Sequence, residues 1–203
     1  MAKNDLKAAQ DYYAEVKNRL DGFGRKKSDL LMMLGLTTIV GRTRAEAQEK
    51  YEQLEELIDP LVGLQMLYRS FGDLPHLPLD GPVPKPDLDQ VGLKSSAKMY
   101  YDLAQQQGLT IRQLYKKVGM AQEHKTVVGT AEDVADEMEA WFEARAADGF
   151  NITPTHLPHT IDDFVERVLP VLRRRGRFRD AYEGRTLREN LGLPMPVSRY
   201  AAA

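Results

Sequence analysis

Few side chains in this sequence are able to do chemistry, and their spacing decides what each can do. There are four histidines, His76, His124, His156 and His159. His156 and His159 have H-x-x-H spacing but lie on a loop bounded by Pro154, without the helical turn that would aim both rings at one metal. No metal site is expected there. His124 stands in a charged connector, Gln122-Glu123-His124-Lys125, just before Thr126-Val127-Val128, and in isolation it reads as a surface histidine. The acid pairs Glu132-Asp133 and Asp162-Asp163 fall in first helical turns, where capping and the macrodipole account for them, and Glu55-Glu56 reads as solvated helix surface. Phosphate-binding glycine loops, a nucleophile elbow and an H-E-x-x-H zinc helix are all absent from the sequence.

Composition narrows the classes further. The chain has 203 residues, no cysteine and a net charge of −2, with 42% hydrophobic and 29% charged residues. Such a composition supports a packed core and rules out disulfide frameworks, thiolate metal sites and a cysteine nucleophile. The missing cysteine fits a cytoplasmic protein. Arg173-Arg174-Arg175-Gly176-Arg177-Phe178-Arg179 is the strongest basic cluster. It complements a helix C-terminus, and without a global basic field or an aromatic platform no nucleic-acid partner is expected. No apolar run is long enough to cross a membrane, so no membrane partner is expected either.

The positioning elements follow from periodicity. Leu6, Ala9, Tyr13, Val16 and Leu20 place a helix over 4–21, stopped by Gly22 and Gly24. Leu30 to Leu36 is a short apolar run of the kind buried on both faces of a parallel sheet. Thr43 and Glu46 open a helix to Ile58 whose inner stripe is Ala47, Tyr51, Leu54 and Leu57. Further helices are predicted over 61–71, 95–107 and 110–118. Between the first two, residues 73–94 hold five of the eleven prolines and read as a loop laid over the surface, because Leu74, Leu77, Leu79 and Val83 recur in it. Thr130 caps a helix with Val134, Met138, Trp141 and Phe142 on one face. Gly149 ends that helix, and Phe150 to Thr153 forms a second short strand. Thr160 then caps a helix carrying Phe164, Val168 and Leu172. Helix, buried strand, helix, strand is the grammar of a parallel α/β fold, although two strands alone make only part of a sheet.

Several segments taken together resemble a known family. Gly129-Thr130-Ala131-Glu132-Asp133-Val134-Ala135-Asp136-Glu137-Met138, continued by Ala146-Ala147-Asp148-Gly149-Phe150-Asn151-Ile152, resembles the closing part of the luciferase-like flavin monooxygenases. The likeness is to the branch with nitrilotriacetate, dibenzothiophene-sulfone and long-chain alkane monooxygenases. Leu34-Gly35-Leu36 with Ile39-Val40-Gly41-Arg42-Thr43 is similar to a late strand of that family and the start of its helix. His124-Lys125-Thr126-Val127-Val128-Gly129-Thr130 is similar to the exit of its lid insertion. Arg174-Arg175-Gly176, Tyr182-Glu183-Gly184 and Thr186-Leu187-Arg188-Glu189-Asn190-Leu191-Gly192 are similar to its tail.

The resemblance implies the C-terminal part of a TIM-barrel-like (β/α)8 fold, with residues 43–128 as a helical, proline-rich, lid-like insertion and 177–203 as an irregular tail. It also implies reduced FMN supplied by a separate flavin reductase, with O2 and a small organic substrate as reactants. His124, Gly35, Leu36, Phe150, Asn151 and Thr153 become the expected substrate or flavin contacts, since barrel sites lie at strand ends. A complete barrel needs about 200 to over 400 residues, so a polypeptide supplying further strands is expected. Open edges also predict a homo-oligomer. The alternative is a non-catalytic helical interaction module or a truncated remnant.

Overall fold

A computed structural model describes residues 5–121, 124–198 and 200; Gln122 and Glu123 of the charged connector lie outside the described residues. Helix α1 (Leu6–Arg19) is capped by Asp5, whose carboxylate accepts the Ala8 N–H at 2.7 Å. The chain reverses at Gly24, in the left-handed region at φ 64°. Strand β1 (Met33–Val40) begins later than the apolar run suggests and takes in Thr37, Thr38, Ile39 and Val40. Those four are the β-branched residues, which suit a pleated strand better than the leucines and methionines before them.

Helix α2 (Arg44–Glu56) has the predicted Thr43 cap, which accepts the Glu46 N–H at 3.1 Å. The Glu46 carboxylate reaches back to the Arg42 N–H rather than to that of Thr43, so the box is offset by one residue. Leu57, expected on the inner stripe, lies past the helix end and is exposed. Helices α3 (Pro60–Phe71), α4 (Lys94–Gln107) and α5 (Ile111–Ala121) build a separate cluster around Leu64, Leu67, Tyr100, Ile111, Leu114 and Tyr115. Helices α3 and α5 meet at Gly63, where a Cβ would stand 2.2 Å from the Tyr115 ring. The proline-rich segment packs over this cluster as expected, burying Leu74 and Val83.

Strand β2 (Lys125–Gly129) is additional to the two strands legible in the sequence. Helix α6 (Ala131–Glu143) carries a complete capping box between Thr130 and Asp133 and ends six residues before Gly149, which opens strand β3 (Gly149–Ile152) rather than closing the helix. Helix α7 (His159–Asp163), a π-helical turn (Phe164–Val168) and α8 (Leu169–Arg174) follow, and α9 (Leu187–Asn190) lies in the tail. Thr160 does not cap α7. It is the second residue of that helix, and its buried hydroxyl lies 3.0 Å from His156 Nδ1 and 3.1 Å from Thr155 Oγ1.

The three strands form one parallel sheet in the order β2-β1-β3. Leu36 is the Cα partner of both Lys125 and Ile152. One face carries Leu34, Leu36, Val40, Val127, Phe150 and Ile152, because alternate residues point the same way. Val40, Val127 and Ile152 pack with Val134, Phe164, Val168 and Leu172 of α6 and the segment after α7. Leu34 and Phe150 pack with Ala9 of α1 and with Trp141. The opposite face carries Gly35, Thr37, Ile39, Thr126, Asn151 and Thr153, and α2 lies against β1 and β2 with Leu54 and Gln53 beside Ile39.

Candidate functional site

The predicted contact residues divide between the two faces of the sheet. Gly35, Asn151 and Thr153 share one face, with Gly35 and Asn151 as Cα partners on neighbouring strands. His124, at the start of β2, lies against the same spot: a Cβ on Gly35 would stand 2.2 Å from His124 Nδ1. Four of the six expected residues therefore converge, and Gly35 is glycine because the imidazole fills the space of its side chain. Thr153 continues β3 by donating its N–H to the Leu36 carbonyl at 2.9 Å. Leu36 and Phe150 belong to the other face, where Leu36 is buried and Phe150 packs beside Trp141.

Two further hydroxyls lie beside this spot. Thr37 and Thr126 are Cα partners one step along the strands, and both hydroxyl oxygens are buried with no hydrogen-bond partner among the described residues. Buried hydroxyls without partners are uncommon and costly, so this face holds unused hydrogen-bonding capacity. Their β-branched side chains announce a strand in the sequence, but only its register shows that they sit together.

A second group of polar residues gathers at the C-terminal half of β1. A cavity of about 540 Å³ is lined by Ile39, Lys50, Leu54, His156, His159 and Asp163 among others. The Lys50 ammonium donates to the Val40 carbonyl at 2.9 Å and to Asp163 at 2.7 Å, while Arg167 reaches the other Asp163 oxygen at 3.0 Å. Burial alone would raise the Asp163 carboxyl, but hydrogen bonds from Lys50 and Arg167 outweigh it and hold the group below the usual carboxylate range. The His156 and His159 rings lie 5.9 Å apart. No group of three or more His, Asp and Glu able to hold a metal occurs among the described residues. Sequence spacing draws attention to the two imidazoles but not to the Lys50–Asp163 pair beside them, because α2 and α7 are over a hundred residues apart.

Two arginines of the basic run are engaged internally. Arg175 pairs with Asp136 at 2.7 Å and Glu139 at 2.5 Å, and Arg177 pairs with Glu139 at 2.7 Å and with Glu143.

No protein-family model matches the chain. N-acetyl-S-(2-succino)cysteine monooxygenase of Bacillus subtilis (strain 168) is 45% identical over 98% of this chain and 46% of that protein. Nitrilotriacetate monooxygenase component A of Aminobacter aminovorans is 41% identical over 98% of this chain and 45% of that protein. Dibenzothiophene-sulfone monooxygenase of Rhodococcus erythropolis is 35% identical over 95% of this chain and 43% of that protein. Over nearly its whole length this chain is similar to luciferase-like monooxygenases. It spans about half the length of the curated relatives it matches and corresponds to their C-terminal part.

Solved luciferase-like structures agree. DmoA from Hyphomicrobium sulfonivorans superposes with a TM-score of 0.78 at 25% identity, over 94% of this chain and 40% of that one. Riboflavin lyase (RcaE), solved with modified FMN and riboflavin, superposes with a TM-score of 0.73 at 27% identity, over 98% of this chain and 43% of that one. The chain is thus a parallel α/β segment of a TIM-barrel-like fold.

Proposed function

We propose that this chain forms the C-terminal part of an FMN-dependent monooxygenase, which uses reduced FMN from a separate flavin reductase, with O2, to oxygenate a small organic substrate. The observation that carries the reading is the seating of the His124 imidazole against Gly35, between β2 and β1, in a chain 45% identical to a monooxygenase. In this reading His124, Asn151 and Thr153 line one wall of the substrate or flavin pocket. Gly35 gives the imidazole its room, while Leu36 and Phe150 support that wall from behind. Residues 43–128 act as the lid-like insertion, and the working enzyme is a cytoplasmic homo-oligomer.

The described residues do not fit FMN by themselves. A flavin phosphate needs free cations or a nest of N–H groups, and the cations on and beside the sheet are engaged: Lys125 with Glu137, Arg44 with Asp133, and Lys50 with Asp163. These residues alone therefore do not hold the flavin. What they supply is a shaped wall carrying an imidazole, an amide and hydroxyls, with unused hydrogen-bonding capacity at Thr37 and Thr126.

Fluorescence titration of FMN tests the reading. The chain alone is expected not to quench flavin fluorescence stoichiometrically. Binding, and then substrate-dependent O2 uptake with reduced FMN, is expected once a polypeptide carrying the remaining barrel strands is added. Tight binding by the monomeric chain would overturn the incompleteness of the site. Absence of binding in both conditions would favour the non-catalytic module instead.

A further inference from the structure

In a (β/α)8 barrel the strands follow one another around the ring in chain order, each followed by an outer helix. The order here is β2-β1-β3, so β3 pairs with β1 and not with β2, the strand that precedes it in sequence. The edge of β1 that β3 covers is the one a barrel reserves for the strand before β1.

Three features mark β3 as loosely held in that place. Its ladder to β1 runs from the Asp148 N–H on the Met32 carbonyl to the Thr153 N–H on the Leu36 carbonyl, and the chain then departs, leaving Thr37 to Val40 unpaired by β3. None of its four residues is fully buried and Asn151 is exposed, whereas strands of parallel sheets are ordinarily buried on both faces. A cavity of about 460 Å³ lies along it, walled by Met33, Phe150, Ile152, Phe164 and Phe178. In contrast, β2 pairs with β1 from Leu36 to Val40, a ladder extended by the Gly41 N–H to the Gly129 carbonyl.

We infer that β3 is a placeholder on the β1 edge, and that this edge is the docking surface for a parallel strand from the part of a luciferase-like monooxygenase that this chain does not span. When that strand arrives, β3 leaves β1 and moves to the free edge of β2, restoring chain order. The occupant is set by what the chain leaves uncovered: more than half of each curated relative, in a fold whose strands are all parallel. The inference rests on the proposed split of the barrel between this chain and further strands.

An engineered crosslink tests it, and the cysteine-free sequence makes the chemistry unambiguous. Met33 and Gly149 are Cα partners across the ladder, so the pair M33C/G149C reports the β1–β3 contact directly. The free double variant is expected to form the disulfide under mild oxidation. The oxidised form is expected to lose at least tenfold in affinity for a polypeptide comprising the unmatched part of the Bacillus subtilis relative, and reduction is expected to restore it. Adding that polypeptide before oxidation should suppress the disulfide. M33C and G149C singly should bind as the unmodified chain does, which excludes a folding defect. If the oxidised variant binds as well as the reduced one, or the disulfide never forms in the free chain, the placeholder is overturned while the split barrel survives. If the unmodified chain does not bind the polypeptide, the split barrel falls and the placeholder with it.

Discussion

His124 and Gly35 are fitted to each other: the imidazole occupies the position a side chain at residue 35 would take, with Nδ1 2.2 Å from an ideal Cβ. No real Cβ tolerates such a contact, so the pairing of a histidine and a glycine almost ninety residues apart is a single packing unit.

The Gly35→Ala variant is therefore expected to lose about 1–3 kcal/mol, the usual cost of overpacking a closely packed site. Removing the ring as well, in G35A/H124A, should recover most of that loss. Urea midpoints of the four variants in the cycle give the coupling. Equal stability of G35A and the unmodified chain would show that the imidazole moves aside freely and is not held against β1.

Arg44 and Asp133 join the starts of α2 and α6 through two hydrogen bonds of 2.9 and 2.6 Å, yet the two ends are unequal. Arg44 is a solvent-exposed side chain with this one carboxylate partner, and R44A is expected to shift the unfolding midpoint little. Asp133 also accepts the Thr130 N–H at 3.0 Å and completes the α6 capping box. D133A is expected to cost about 1 kcal/mol through the lost cap. Circular dichroism melts of both variants check the asymmetry, and a larger loss from R44A would refute it.

How much of this was legible in the sequence depends on the range of the interactions. Capping residues announce themselves locally, so Thr43 and Thr130 are found without coordinates, and the resemblance carried by residues 129–152 is enough to point to the family. Strand β2 hides because Lys125 to Gly129 is too short to display a period. Thr160 misleads because its hydroxyl prefers His156 and Thr155 to a helix N–H. Gly35 and Leu36 read as the end of a strand, but β1 runs on to Val40, so they lie in its first half. The opposition of Gly35 and Asn151, and the strand order itself, depend on pairing across more than a hundred residues, which no local pattern encodes.

Trp141 is the only tryptophan, almost fully buried, with its indole N–H donating to Glu137 at 2.7 Å and the Lys125 ammonium 4.7 Å from its ring. It packs with Ala9 of α1, Leu34 of β1 and Ala147, so it ties α6 to both. W141A is expected to cost about 3–5 kcal/mol, and W141F distinctly less. In the unmodified chain, blue-shifted emission should give way to that of a solvated indole in a single transition coincident with loss of helix signal. Emission of a solvated indole under native conditions would contradict the packing described.

Asp148 ties two other segments to its own, α1 and the residue before β1: it accepts the Met32 N–H at 2.7 Å and the Tyr13 hydroxyl at 2.7 Å, and it pairs with the buried Lys17 ammonium at 2.8 Å. Burial by itself would raise its carboxyl, but the bonds from Lys17, Met32 and Tyr13 together hold it below the usual carboxylate range. A carboxylate depressed in the folded state binds protons more weakly there than in the unfolded chain. Its stabilisation is complete above the unfolded value of about 4 and drains away as pH falls through that value toward the folded one. Asp163, depressed through Lys50 and Arg167, acts in the same window. D148N is expected to cost about 2–3 kcal/mol at pH 7, on the scale of hydrogen bonds to charged groups. The loss should shrink as pH drops from 5 to 3, because the unmodified chain is then losing the same contribution. Urea midpoints measured across that range for both proteins decide it: a D148N penalty that stays constant down to pH 3 would mean that the charge on Asp148 does not hold α1 against the sheet.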